Sequence, residues 1–310
     1  MEAKRVAKTK VDLITGFLGA GKTTFIMRYA QRLAAQGVSF AVIENEFGTA
    51  GCDGAILKDI GLDVSELSGG CICCSLKVDF AHALVELSGR CERIIVEPSG
   101  IFAPADFFEV LNSPTVREVC EVGYVAAVVD PCGLSMPSAD AAAVFSAQLE
   151  SAGTVLLSKT DELSAKAIEA AVCRVRNEYG VVRGVQIQTK PWHTLADVDF
   201  DCIMQSGARS RGGLAVPVNH AAMFNSGTIV LKRVYTIALL QEKLQVVLND
   251  TACGSVLRIK GIAPGADGGL LWVSGTPSGV TIVPIQGGLI GLNIIGERIA
   301  RKRIQAILEG

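Results

Sequence analysis

Residues 16–24 read G-F-L-G-A-G-K-T-T, and Gly16, Gly21, Lys22 and Thr23 fall on the G-x-x-x-x-G-K-[ST] spacing of a phosphate-binding loop. Glycines at 16, 19 and 21 let backbone N–H groups turn inward on phosphate oxygens. Lys22 brings a positive charge to the β- and γ-phosphates, and Thr23 offers a hydroxyl to Mg²⁺. Gly16, Gly19, Ala20, Gly21, Lys22, Thr23 and Thr24 are therefore the candidate nucleotide contacts. The residues that follow have helical spacing, which presents a helix N-terminus to the anion.

Four further groups carry chemistry. Glu97-Pro98-Ser99-Gly100 places a carboxylate and a glycine where they can hold the water shell of Mg²⁺ and sense the γ-phosphate. A plain turn would use the same residues, and the position after a phosphate loop favours the first reading. Ser158-Lys159-Thr160-Asp161 offers Asp161 to the ring N–H and exocyclic amine of guanine, with the Lys159 stem packed along the base. Adenine presents no such pair of donors. Cys71, Cys73 and Cys74 follow Gly69-Gly70, and three thiols within four positions can converge on one soft metal ion, Zn²⁺ or Co²⁺. No second C-x-x-C pair supplies a fourth ligand, and a redox or packing role remains the alternative. Glu44 and Glu46 stand at the end of an apolar run, where they either orient water, approach the metal, or belong to a solvated loop.

These groups need a scaffold that brings strand ends together. Apolar runs at Val11–Thr15, Val38–Ile43, Leu62–Leu67, Arg93–Val96, Gly123–Val129, Thr154–Leu157 and Val185–Ile187 read as strands. Helical spacing occupies Thr24–Gln36, Ala81–Ser88, Ala139–Leu149 and Ala165–Glu178 between them. Such alternation predicts an α/β fold with a doubly wound, mostly parallel sheet over residues 1–205. Ser, Gly, Arg and Ala with Pro217 mark residues 206–225 as a linker. Residues 226–310 read as a smaller α+β domain: a β-rich Thr228–Leu240, a helix at Gln241–Leu248, four strands and a final helix from Glu297 to Leu308.

The chain has 310 residues and a net charge of −2, so no global basic field argues for nucleic acid or an anionic membrane surface. No apolar h-region follows the start, which predicts a cytoplasmic protein. Gly268–Gly296 contains no charge, yet its Gly and Pro punctuation fits short strands rather than a spanning helix. Ten cysteines in a chain of this length are expected as reduced thiols, and those outside 71–74 as small structural hydrophobes.

With G-F-L-G-A-G-K-T-T at 16–24, E-N-E-F-G at 44–48, G-C-I-C-C at 70–74, E-P-S-G at 97–100 and S-K-T-D at 158–161, the chain resembles the CobW family of P-loop GTPases. V-L-R-I-K-G at 256–261 and N-I-I-G at 293–296 look like this family's appended domain. The resemblance implies GTP binding and slow hydrolysis coupled to delivery of zinc or cobalt to a client metalloprotein or a cofactor-biosynthesis enzyme. It makes Lys22, Glu97 and Glu46 the catalytic candidates, Thr23 and Glu97 the Mg²⁺ holders, and Cys71, Cys73, Cys74 and Glu44 the cargo-metal candidates. No arginine finger can be named, so metal, a client or a second subunit in a homodimer would complete the site. Two rivals stand beside this reading: a nucleotide and metal sensor without transfer, and an ATPase or kinase with an incidental thiol cluster. Thr49 stands where the family commonly has glutamate, and Ser158 replaces the asparagine of N-K-x-D. The three histidines, His82, His193 and His220, form no His-rich storage loop.

Overall fold

The structure, a computed structural model, describes residues 7–44, 64–66, 76–179, 181, 185–205 and 224–310. Glu46, Thr49, Cys71, Cys73 and Cys74 lie outside the described residues, as do residues 206–223 of the expected linker. The described residues fall into two compact units, the first reaching Gln205 and the second starting at Phe224.

In the first unit the strands are β1 (Thr9–Thr15), β2 (Phe40–Glu44), β3 (Val64–Glu66), β4 (Arg93–Glu97), β5 (Cys120–Val129), β6 (Thr154–Leu157) and β7 (Gln186–Gln188). They form one sheet in the order β3-β2-β4-β1-β5-β6-β7, with every neighbouring pair parallel. The helices are α1 (Lys22–Ala35), α2 (Leu76–Ser88), α3 (Pro104–Leu111), α4 (Pro114–Val119), α5 (Ala139–Ser151), α6 (Ala165–Asn177) and α7 (Asp197–Gln205). The central strands β2, β4, β1, β5 and β6 are buried on both faces, which is why they read as apolar runs. Side chains alternate between the faces. Ile14, Val42, Ile95 and Val128 meet Phe25, Ile26 and Tyr29 of α1 and Phe200 of α7 on one face. Val11, Leu13, Ile43, Ile94 and Val96 meet Phe80 of α2, Phe107 of α3 and Val116 of α4 on the other.

Helix α1 presents Phe25, Ile26, Tyr29, Ala30 and Leu33 to the sheet, the i, i+1, i+4, i+5, i+8 stripe of an amphipathic helix. Full burial of each large apolar side chain there stabilises by about 1.5–3 kcal/mol. Beneath the same helix lies a charged centre. Asp12 of β1 accepts from Arg93 Nη1 at 2.7 and 2.6 Å, from the Tyr29 hydroxyl at 2.6 Å and from Tyr124 N at 2.6 Å. Burial pushes the Asp12 carboxyl above its ordinary range, opposed by the Arg93 guanidinium and the hydrogen bonds. One side chain thus ties β1, β4, β5 and α1 together.

The order of the sheet sets the site. The chain runs from β1 to one side for β2 and β3, returns with β4 between β2 and β1, and then adds β5 to β7 on the other side. The direction of winding reverses at β1, so the crevice outside its carboxyl end is where such sheets receive ligands.

The second unit is an antiparallel sheet in the order β11-β10-β9-β12-β8. Its strands are β8 (Asn225–Ile229), β9 (Ser255–Pro264), β10 (Leu270–Thr276), β11 (Gly279–Ile285) and β12 (Gly291–Glu297). Helices α8 (Ile237–Asn249) and α9 (Arg301–Glu309) cover one face, through Leu240, Leu244, Val247, Ile304 and Leu308 packed on Leu271, Val273, Leu292 and Ile294. The uncharged Gly268–Gly296 stretch is the three strands β10 to β12, and among the described residues no helix is long and apolar enough to cross a membrane. Helix α8 begins four residues before the expected Gln241, because the Thr236 side chain accepts from Leu239 N at 3.3 Å and caps it there. Helices α3, α4 and α7 have no counterpart in the sequence reading. They are 8, 6 and 9 residues long, too short for a periodic signal, although Pro104 and Pro114 at first-turn positions of α3 and α4 are usable start marks.

Candidate nucleotide site

Between the end of β1 at Thr15 and the start of α1 at Lys22, the chain turns through glycines with positive φ: 143° at Gly16, 74° at Gly19 and 96° at Gly21. Gly16 is required twice over. Its φ disfavours any L side chain, and a Cβ there would lie 2.2 Å from the Val128 carbonyl oxygen of β5. Ala20 N closes the turn on Phe17 O at 3.2 Å. Lys22 is 8% exposed, and its Nζ donates to Gly16 O at 3.1 Å and Phe17 O at 3.4 Å, which holds the ammonium over the loop backbone. Gly21 caps α1 without a side-chain acceptor, and the first turn contains no acidic residue. Its N–H groups and the positive end of the helix dipole therefore favour an anion.

Alternation along β4 sends Arg93, Ile95 and Glu97 to the α1 face. Glu97, at the carboxyl end of β4, accepts from Thr23 Oγ1 at 2.8 Å, joining residues 74 positions apart. Glu44 ends β2 directly beside it, in register, and the two carboxylates are 4% and 6% exposed. The hydroxyl and carboxylate oxygens at this point form a hard donor set suited to Mg²⁺. After Glu97 the chain passes so close to the phosphate-type loop that a Cβ on Gly100 would lie 2.5 Å from Leu18 N. The buried Gln148 of α5 holds this turn, its Nε2 donating to Gly100 O at 3.0 Å and Phe102 O at 3.1 Å. A lone glutamine in a helix carries no sequence signal for that role.

At the end of β6, Ser158 is buried; its N donates to Val129 O at 2.8 Å and its hydroxyl to the same oxygen at 3.2 Å. Lys159 adopts a positive φ of 52°, and its Nζ pairs with Asp130 Oδ2 at 2.6 Å. Asp161 Oδ1 lies 3.1 Å from His193 Nε2. The neighbouring Trp192 meets Phe25 edge-on, with ring centroids 5.6 Å apart, and comes within 3.8 Å of where a Gly21 Cβ would stand. Lys22, Thr23, Glu97 and Gly100 thus gather at one end of the sheet's centre, with Ser158 close to Gly21. Asp130, Gln148, Trp192 and His193 join them, four residues that belong to none of the motifs legible in the sequence.

The soft-metal candidates Cys71, Cys73 and Cys74 and the catalytic candidate Glu46 are outside the described residues, and among those described no group of three or more His, Cys, Asp and Glu side chains is arranged to hold a metal. Of the cysteines expected as small hydrophobes, Cys120 and Cys253 are buried, whereas Cys132, Cys173 and Cys202 are exposed. Burial pushes the Cys120 thiol up to about 11, with Cys91 nearby adding to the shift, so it stays protonated at neutral pH.

Residues 10–183 match the family model described as the CobW/HypB/UreG nucleotide-binding domain. The zinc chaperone CobW of Pseudomonas aeruginosa is 34% identical over 208 residues, 56% of this chain and 54% of its own. The zinc chaperone CobW of a Sinorhizobium species is 28% identical over an alignment of 360 residues, 97% of this chain and 98% of its own. The chain thus spans about half the length of the first relative and nearly all of the second. The crystal structure of the Zn(II)-bound YjiA GTPase of E. coli is 20% identical, covering 98% of this chain and 100% of its own with a TM-score of 0.43. The family match takes in more than half of the chain, including Gly16–Thr24, Glu97–Gly100 and Ser158–Asp161, and so this chain belongs to the CobW/HypB/UreG family.

Proposed function

We propose that this chain is a GTP-hydrolysing metallochaperone. It binds GTP at the loop of residues 16–24, holds a transition-metal cation, zinc first and cobalt next, on Cys71, Cys73 and Cys74, and hands it to a client metalloprotein or cofactor-biosynthesis enzyme. The observation that carries the nucleotide half is the 2.8 Å bond between Thr23 and Glu97, which puts a hydroxyl and a carboxylate beside the phosphate loop. Support for the metal half comes from the thiol spacing and from relatives named as zinc chaperones.

Lys22 and the N–H groups of the α1 first turn bind the phosphates, and Asp161 with the Lys159 stem takes the guanine. Thr23 directly and Glu97 through water would hold Mg²⁺, which when bound neutralises charge developing on the transferred phosphoryl group. Gly100, packed on Leu18, shifts with the loop and transmits the state of the γ-phosphate to the turn that Gln148 holds. Glu46 is assigned to orienting the attacking water, and Glu44 to approaching the cargo metal.

The reading requires that metal and nucleotide affect one another's affinity reciprocally. Competition titration of Zn²⁺ and of Co²⁺ against a chromophoric chelator, with GDP and with a non-hydrolysable GTP analogue, is expected to show metal affinities differing by about 5–150-fold, the range of a typical coupling. Metal binding is expected to weaken as pH falls, because the thiols must lose protons to ligate. Equal affinity in both nucleotide states, together with a Cys73→Ser variant that binds as well as the parent, would overturn the chaperone mechanism.

A further inference from the structure

The partner of Asp161 is a residue outside the S-K-T-D stretch, and it is held on a rigid support. His193 sits in the short turn Trp192–Thr194, where Thr194 N and Oγ1 both donate to Pro191 O, at 3.0 and 2.8 Å. Trp192 anchors that turn: it is buried, edge-on against Phe25 of α1. His193 therefore presents its imidazole from a backbone fixed to the same helix that begins at the phosphate loop. Ser158 directs its hydroxyl to Val129 O, so it secures the end of β6 against β5 rather than the Asp161 carboxylate.

Building on the GTP reading above, we propose that His193 is a positioning residue for base selectivity: its Nε2, 3.1 Å from Asp161 Oδ1, flanks the carboxylate and holds it in the orientation that guanine requires. An ionised carboxylate has about four acceptor sites. Guanine's ring N–H and 2-amino group use two of these, which leaves a site on the carboxylate facing His193 while the base is bound. The side chains of His193 and Asp161 are 61% and 48% exposed, and an Asp161 without this imidazole beside it would rotate among water-facing rotamers. Selectivity then rests on a histidine 32 positions beyond the aspartate it orients.

Calorimetry of the full chain with GTP and with ATP, for the parent, His193→Ala and His193→Gln, tests the proposal. His193→Ala is expected to bind GTP about 3–10-fold more weakly, the scale of one net hydrogen bond, and ATP unchanged. His193→Gln, whose amide nitrogen can reach the place of Nε2, is expected to recover most of the loss, and all three proteins should melt together. GTP affinity unchanged or increased in His193→Ala overturns the proposal, as does an equal loss for ATP. A parent protein without preference for GTP over ATP instead refutes the guanine reading itself, and the positioning role with it.

Discussion

Lys22→Ala is expected to abolish tight GTP binding while leaving the chain folded. The Lys22 ammonium lies over the loop, within 3.1 Å of Gly16 O, in a position 8% exposed to solvent. A phosphate chain entering that loop would lose its principal side-chain charge where water replaces it poorly. Truncating one partner of a buried, hydrogen-bonded charge pair costs about 2–5 kcal/mol, or roughly thirty- to several thousand-fold in affinity. Alanine at the first position of α1 keeps the helix, since the packing face begins at Phe25. Calorimetric titration with GTP, alongside a thermal melt, measures both halves. Parent affinity in a folded Lys22→Ala protein would remove the basis of the nucleotide site.

Asp12→Ala is expected to destabilise the first unit by about 3–5 kcal/mol. It removes the acceptor of four hydrogen bonds and leaves the Arg93 guanidinium and the Tyr29 hydroxyl facing a cavity between α1, β4 and β5. Arg93 keeps one-fifth of its side chain exposed, which gives the freed cation an outlet to water and places the cost toward the lower end. Urea unfolding at neutral pH reads the change directly. A loss below about 1 kcal/mol would mean that Arg93 rehydrates and that the network is not what holds α1 to the sheet. The consequence reaches the site, because α1 carries Thr23 and β4 carries Glu97.

Much of this is legible in the sequence. Strand β6 is legible to the residue, and β4 to within one residue of its end, because strands buried on both faces are uninterrupted apolar runs bounded by polar residues. The start of helix α8 is not legible because Ile237, Ala238, Leu239 and Leu240 suit a strand as well as a helix, and the Thr236 cap decides between them. Helices α3, α4 and α7 leave no signal because one to three turns give too few repeats for a period to show.

By itself the sequence determined the phosphate-type loop, since its function is written in nine adjacent residues whose glycines and lysine act within one turn of chain. It also determined the α/β alternation and the presence of carboxylates at strand ends. Which strand lies beside which was decided only in the tertiary structure, and the site depends on it. Glu97 reaches Thr23 because β4 inserts between β2 and β1, and Glu44 stands beside Glu97 for the same reason. Gln148 on Gly100, Arg93 on Asp12 and His193 on Asp161 are likewise contacts between single polar residues 48, 81 and 32 positions apart. A lone polar side chain has no periodicity and no fixed spacing to its partner, so only the packing of its element can name the group it meets.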